Sequence, residues 1–431
     1  MPSRREFLGT ASAVLVGTGA HPRAAPAGPV EPRQGPLPPS IAALTSWRDR
    51  MRPIGNEERA ARLDQARRLM GETRIDALLL AGGTSLRYYT NIEWGLSERL
   101  LALVLPHAGD AFLVCPAFER DRAMEQVAAS PLGPRTEVLT WEEDESPFRL
   151  VADGLRTRGI AGGTLGVEET MRYVFADGVA KSLPGLTVTS GTPVTGGCRM
   201  VKSKAEVDLM RLASSVTLRA YEAAYRALRP GMTQTEFAAL VRVAHERLGF
   251  SGGAGVQVGP YSALPHGSST PQTIRDGTIL LIDGGCSVGG YASDLSRTFV
   301  LGTATDKMKR VFDVELRAQT AALKAARPGV ECQAVDAAAR RVIEDAGFAP
   351  GYRYFTHRVG HGIGMDGHEW PYLMRGNTTL LARNMTFSDE PGVYIPGEFG
   401  VRLEDDMHIT ETGAELFTPQ SPSLEDPFGS G

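Results

Sequence analysis

An internal repeat constrains this chain more than any other feature. Residues 227–250 (ALRPGMTQTEFAALVRVAHERLGF) align without a gap on residues 325–348 (AARPGVECQAVDAAARRVIEDAGF), with 9 of 24 positions identical at a constant offset of 98. Two copies are too few for a solenoid, which needs at least three stacked units to bury a continuous core. The repeat therefore predicts one domain of duplicated αβ units related by a pseudo-two-fold axis, with a site where the halves meet. Within the first copy, Val207, Met210, Leu218, Tyr221, Tyr225 and Leu228 share one helical face, which Arg229-Pro230-Gly231 breaks. Thr233 and Glu236 then form a capping box that opens the next helix, whose core face carries Phe237, Leu240, Val241, Ala244 and Leu248.

Ahead of the repeat, from about residue 46 to 200, helix and strand signals alternate. Asn56 to Met70 has helical spacing, whereas Ile75–Leu80, Leu101–Leu105 and Ala111–Cys115 are short apolar runs bounded by Gly, Pro and Asp, as buried strands are. The fold class is therefore α/β (α+β), with a smaller α/β domain over 46–200, a larger domain holding the repeat over 201–420 and a tail over 421–431. Residues 28–45, rich in Pro, Gly and Ala, are expected to be a flexible lead-in.

The first 27 residues carry targeting rather than fold. Ser3-Arg4-Arg5-Glu6-Phe7-Leu8, an apolar stretch to Ala20 and Ala25-Pro26-Ala27 form a twin-arginine export signal with a small-residue cleavage site. That apolar stretch is shorter than the ~20 residues of a membrane span, and no later segment qualifies, so the mature chain is expected outside the membrane, in the periplasm or beyond. A net charge of −4 gives no basic excess to draw it to nucleic acid. Four cysteines, Cys115, Cys198, Cys286 and Cys332, are too few for a disulfide framework, and none sits in a zinc-type cluster.

The chemistry lies beyond residue 277. Thr278–Ile282 is an apolar β run ending in Asp283, and the chain returns over Tyr291–Val300 carrying Asp294. A hairpin centred near residues 288–289 puts these two carboxylates opposite each other, a repulsive arrangement that a divalent cation turns into binding. The second half adds His357 and His361 in a glycine-rich stretch, then His368, Glu390 in Asp-Glu-Pro-Gly, Tyr394, Arg402 and Glu404. These motifs supply five candidate ligands, and four carboxylates with one imidazole are an oxygen-rich set able to hold two divalent ions about 3.5–4 Å apart, favouring Mn²⁺, Fe²⁺ or Co²⁺ over structural zinc.

These motifs resemble the pita-bread metallopeptidases, the family of methionine aminopeptidase, aminopeptidase P and prolidase, and the two-domain order resembles its creatinase, prolidase and aminopeptidase P branch. The resemblance covers roughly residues 46–420. It implies that Asp283, Asp294, His361, Glu390 and Glu404 are the ligands of two metal ions, with Mn²⁺ first and Co²⁺, Fe²⁺ or Zn²⁺ as alternatives, and with Asp283 and Glu404 bidentate or bridging. It further implies that His266 and His368 are catalytic groups on the substrate side, that His357 and Arg402 line the proline side of the pocket, and that Tyr394 hydrogen-bonds a metal carboxylate. A dimer or tetramer follows from the same likeness, and the complete ligand set separates the chain from non-catalytic relatives and from the creatinases.

The expected reaction is hydrolysis of an Xaa-Pro bond, at a peptide N-terminus or in a dipeptide, by a metal-bridging hydroxide. Glu390 carries the water's proton to the leaving nitrogen, and His368 or His266 donates to the oxyanion. Hydrolysis of a non-peptide amide by the same fold stays open, as does a retired, purely binding site. Arg402 has two readings, holding the substrate's carboxylate or pairing with a nearby acid. Ser268 and Ser269 lack a nucleophile elbow, and the glycines at 252, 253 and 255 lack the Lys-Ser/Thr of a phosphate loop.

Overall fold

In the computed structural model, which describes residues 35–429, every residue of β1 (Ala77–Ala81), β2 (Ala102–Pro106) and β3 (Phe112–Pro116) is buried. That explains why these segments are continuous apolar runs rather than alternating ones: the sheet they form is covered on both faces. With β4 (Glu137–Trp141), β5 (Gly163–Val167) and β6 (Leu186–Ser190) they build a six-stranded mixed sheet of order β4-β3-β2-β1-β5-β6. Leu78, Leu80, Leu103 and Leu105 pack with α2 (Asn56–Thr73) and α7 (Thr192–Met200), and α3 (Thr84–Thr90) and α4 (Arg120–Ala129) lie on the same side. Ala77, Leu79, Ala102 and Val104 face α5 (Pro147–Thr157) and α6 (Tyr173–Ser182).

The repeat emerges as two helix pairs. In the first, α8 (Lys204–Tyr225) and α9 (Gln234–Leu248) pack Tyr221, Phe237 and Val241 on Leu280 and Ile282 of β8 (Thr278–Gly284) and Phe299 of β11 (Leu295–Leu301). In the second, α10 (Asp306–Ala325) and α11 (Cys332–Asp345) bury Ala318, Ala322, Val335 and Ala339 against Phe387 and Met407. α9 and α11 begin at 234 and 332, the repeat's offset, and the residues before them make equivalent bridges, Thr233 to Thr273 and Glu331 to Leu380. The capping box of Thr233 and Glu236 is present, while Glu331 makes no side-chain cap.

The first helix pair backs a three-stranded sheet, β11-β8-β7, with β7 at Gly255–Val258. The second backs a five-stranded sheet, β13-β12-β14-β17-β18, made of β12 (Gly360–Gly362), β13 (Glu369–Leu373), β14 (Thr386–Asp389), β17 (Asp405–Ile409) and β18 (Ala414–Leu416). Two small ribbons complete it: β9 (Ser287–Val288) with β10 (Tyr291–Ala292), and β15 (Gly392–Ile395) with β16 (Phe399–Arg402).

Two expectations change. Residues 39–44 are not a flexible lead-in: α1 (Pro39–Ala42) brings Ile41 and Leu44, three apart on one turn, into the core formed by α8 and α9. Ser40 also donates to the Ala223 carbonyl at 2.8 Å. The β8–β11 hairpin is centred between Gly289 and Gly290, whose φ angles of 60° and 91° suit the two-residue turn that matches strand twist. Asp283 therefore pairs with Ser296, not Asp294. Because the centre moves by one residue on each strand, Asp294 shifts to a diagonal position and stays on the same face as Asp283.

The four cysteines are buried free thiols. No helix among the described residues is long and apolar enough to cross a membrane. The export signal over 1–27 falls outside the described residues.

Candidate metal centre

Each of the five expected ligands sits where a strand ends or turns, so its carboxylate or imidazole projects beyond the sheet hydrogen bonds. Asp283 lies near the end of β8, Asp294 just before β11, His361 within β12, Glu390 just after β14 and Glu404 between β16 and β17. The structure gathers them: Asp283, Asp294 and Glu404 offer oxygens within 4.8 Å of one another, and so do the ligand atoms of His361, Glu390 and Glu404, and of Asp294, His361 and His368. Glu404 and His361 are almost wholly buried. Close approach is possible because Gly360 carries no side chain: a Cβ there would stand 2.0 Å from the Ser388 carbonyl oxygen.

Orientation comes from partners that sequence analysis did not single out. Ser296, directly across from Asp283 in the register, donates to Asp283 Oδ1 at 3.0 Å and to Glu404 Oε2 at 2.6 Å, and accepts from Arg402 Nε at 2.9 Å. Ser388 donates to Glu390 Oε1 and accepts from the His361 amide, both at 3.0 Å. The Asp294 amide donates to Asp406 Oδ2 at 3.1 Å, where Ser214 also donates. Strand pairing would have pointed to Ser296 had the turn been placed correctly; Ser388 lies two residues before Glu390, but its link to His361, like that of Asp406 to Asp294, depends on contacts between segments far apart in sequence. His361 Nδ1 lies 3.1 Å from the Gly362 carbonyl and Nε2 3.1 Å from Glu390 Oε1, which directs Nε2 into the cluster.

The electrostatics are those of a site built for cations. Burial, then the charges of Asp283 and Glu390, push the Asp294 carboxyl well above its ordinary value, and burial followed by Asp294, Glu390 and Asp283 does the same to Glu404. Burial also pushes Glu390 upward, but its hydrogen bond to His361 and the charges of His361, His357 and Arg402 outweigh that and hold it at about 2. Four carboxylates and one imidazole converging in so small a volume fit two hard divalent ions.

The remaining expected residues fall around this cluster. His368 is exposed at the mouth, its ring stacked on His361 with centroids 3.8 Å apart. Burial, then the charges of His361 and Arg358, lower its pKa; His266, on an exposed loop, adds to the same effect. His357 Nδ1 lies 2.8 Å from the Arg358 carbonyl, leaving Nε2 to accept from the Tyr394 hydroxyl at 2.7 Å. Burial lowers the His357 pKa.

Tyr394 departs from expectation. Its hydroxyl meets His357 and Arg402, not a metal carboxylate, because the Arg402 guanidinium stands between it and Asp283. Arg402 pairs with Asp283 at 2.7 Å, and its other nitrogens donate to Ser296, Tyr394 and the Pro265 carbonyl, which favours the ion-pair reading.

Residues 208–411 match metallopeptidase family M24, and residues 62–201 match the creatinase/prolidase N-terminal domain. The chain is 38% identical over 358 residues to the probable dipeptidase PepE of Mycobacterium tuberculosis, covering 82% of this chain and 93% of that protein. It is 31% identical over 376 residues to the Xaa-Pro dipeptidase of Lactobacillus helveticus, covering 84% and 98%. The crystal structure of dipeptidase PepE from Mycobacterium ulcerans superposes with a TM-score of 0.81 at 34% identity, covering 87% of this chain and 99% of that one. An α/β creatinase-type domain followed by a pita-bread domain, with a cluster of carboxylates and histidine suited to divalent metal, places this chain in metallopeptidase family M24.

Proposed function

We propose that the protein is a dinuclear, metal-dependent exopeptidase that hydrolyses Xaa-Pro bonds, with dipeptides as its preferred substrates. The observation that carries the reading is the convergence of Asp283, Asp294, His361, Glu390 and Glu404, four carboxylates and an imidazole, on one small volume. The dipeptide preference is supported by relatives named as dipeptidases and Xaa-Pro dipeptidases. Two divalent ions held by these residues, Mn²⁺ first, would acidify a water and polarise the scissile carbonyl.

The chain's own residues do the rest. Glu390, kept ionised by His361 and Arg402, accepts the water's proton at a carboxylate oxygen and delivers it to the proline nitrogen. That nitrogen must be protonated to leave as an amine. His368 stays neutral near pH 7. Its Nδ1 faces Arg358 Nη2 at 3.3 Å, so Nε2 carries the hydrogen and donates it to the carbonyl oxygen as charge develops there. His266, on its exposed loop, is the second candidate donor. Arg402 fixes Asp283, while Tyr394 and His357 form a neutral wall beside it.

Export by the twin-arginine route and assembly as a dimer or tetramer belong to the same reading. A mature N-terminus near residue 28 in the exported fraction tests the first, and light scattering tests the second.

The deciding experiment is hydrolysis of a matched pair, Ala-Pro and Ala-Pro-Ala, with Mn²⁺ and again after chelation, followed by mass spectrometry. Chelator-sensitive cleavage favouring Ala-Pro is the expected result. Preference for Ala-Pro-Ala would make it an aminopeptidase P type enzyme. No cleavage of either peptide with two ions bound would refute the proline reading.

A further inference from the structure

His368 is exposed, and among the described residues its ring stacks on His361 and faces Arg358, so its position depends largely on the backbone that carries it. That backbone is held from the other domain. At the end of α7, Arg199 Nη2 lies between two carboxylates that bracket His368, donating to Asp366 Oδ2 at 2.5 Å and, in a shorter contact, to Glu369 Oε1. Lys202, fully buried, reaches Glu369 Oε2 at 3.3 Å, and Thr84 of α3 donates to Asp366 Oδ1 at 2.5 Å. Inside the loop, the Asp366 amide donates to Glu369 Oε1 at 3.0 Å and the Gly364 amide to the Asp366 carbonyl at 3.1 Å. Glu369 folds beneath this turn because residue 364 is glycine: a Cβ there would stand 2.7 Å from Glu369 Oε2.

We propose that Arg199 is a positioning residue that clamps Asp366 and Glu369 and thereby sets where His368 meets the substrate. The N-terminal domain then contributes to turnover without supplying a metal ligand. Both contacts come from the one Nη2, whose two hydrogens serve the two carboxylates at a reach and angle that a lysine ammonium only partly reproduces. The inference rests on the reading of His368 as a substrate-side donor.

The test compares wild type, Arg199→Met, Arg199→Lys, His368→Ala and the Arg199→Met/His368→Ala double variant on Ala-Pro, with metal content measured in each. Loss of placement by about an ångström is expected to lower kcat roughly 10- to 100-fold in Arg199→Met, with KM and metal content unchanged. Arg199→Lys should recover part of the loss, and the double variant should be no slower than His368→Ala alone. Full additivity in the double variant, or loss of metal in Arg199→Met, would overturn the proposal.

A readout that needs no substrate separates this inference from the Xaa-Pro reading. Amide exchange over residues 364–370 should accelerate at least about tenfold in Arg199→Met while β1–β3 keep their protection. Unchanged exchange there would sink the proposal even if the wild type cleaves Ala-Pro. Should Arg199→Met fail to fold, Asp366→Asn, at a half-exposed carboxylate, removes one side of the clamp and must loosen the same amides.

Discussion

Replacing Ser296 with alanine is the sharpest probe of how the cluster is held. The hydroxyl is fully buried and touches three charged groups: Asp283, Glu404 and Arg402. Its one hydrogen is shared between Asp283 Oδ1 and Glu404 Oε2, while its oxygen accepts from Arg402 Nε. In Ser296→Ala, the buried Arg402 Nε–H loses its acceptor and both carboxyls lose a partner. Hydrogen bonds to charged groups contribute about 1.5–3 kcal/mol each, so a stability loss of about 2–4 kcal/mol is expected after relaxation. Asp283 and Glu404 also lose the group that fixes their angle. Removing the partner of a metal ligand typically costs 10- to 100-fold in affinity, about 1.4–2.7 kcal/mol. Thermal melts and Mn²⁺ titration calorimetry measure the two effects. Thr90→Val serves as the control, since it removes an equally buried hydroxyl bonded to the Leu86 carbonyl in the other domain, and should lower stability without touching metal binding. Wild-type Mn²⁺ affinity in Ser296→Ala, within about twofold, would refute the claim that this hydroxyl organises the centre.

Asp283→Ala or Glu404→Ala should abolish both metal binding and turnover, and activity retained with an empty site would end the dinuclear reading. His368→Ala should lower kcat with metal content unchanged; metal loss would instead make His368 a ligand. His245 gives a pH prediction away from the centre: burial depresses its pKa from 6.5 to about 4, with Nδ1 2.9 Å from the Val241 carbonyl. The unfolded chain takes up the proton first, so this contribution is complete above about pH 6.5 and is lost as pH falls toward 4, amounting to about 3 kcal/mol. In urea unfolding, His245→Gln should remove that part of the acid sensitivity, and a difference from wild type that does not change between pH 7.5 and 4 would contradict it.

Much of this architecture was written locally. The offset of 98 between Arg229-Pro230-Gly231 and Arg327-Pro328-Gly329 foretold two equivalent helix pairs, because capping, turn chemistry and apolar period are properties of neighbouring residues. The apolar runs at 75–80, 101–105 and 111–115 became β1, β2 and β3 for the same reason. That a cation site lies among the acids and histidines beyond residue 277 was also legible, since such groups at the ends of apolar strands are costly without a cation; which five they are came from the family resemblance.

Tertiary structure decided the rest. Register depended on which glycine pair made the turn, a one-residue choice that exchanged Asp294 for Ser296 opposite Asp283. Arg402 was left with two readings until folding placed Asp283 within 2.7 Å. Arg199 and Glu369, 170 residues apart, meet only because the two domains dock, and Ser388 accepts from the His361 amide, 27 residues away, only because β12 pairs with β14. Local sequence specifies which elements form and which groups are expensive to bury. Which partners relieve that expense is set by contacts between distant segments, where burial makes each hydrogen bond and charge pair count for far more than it does in water.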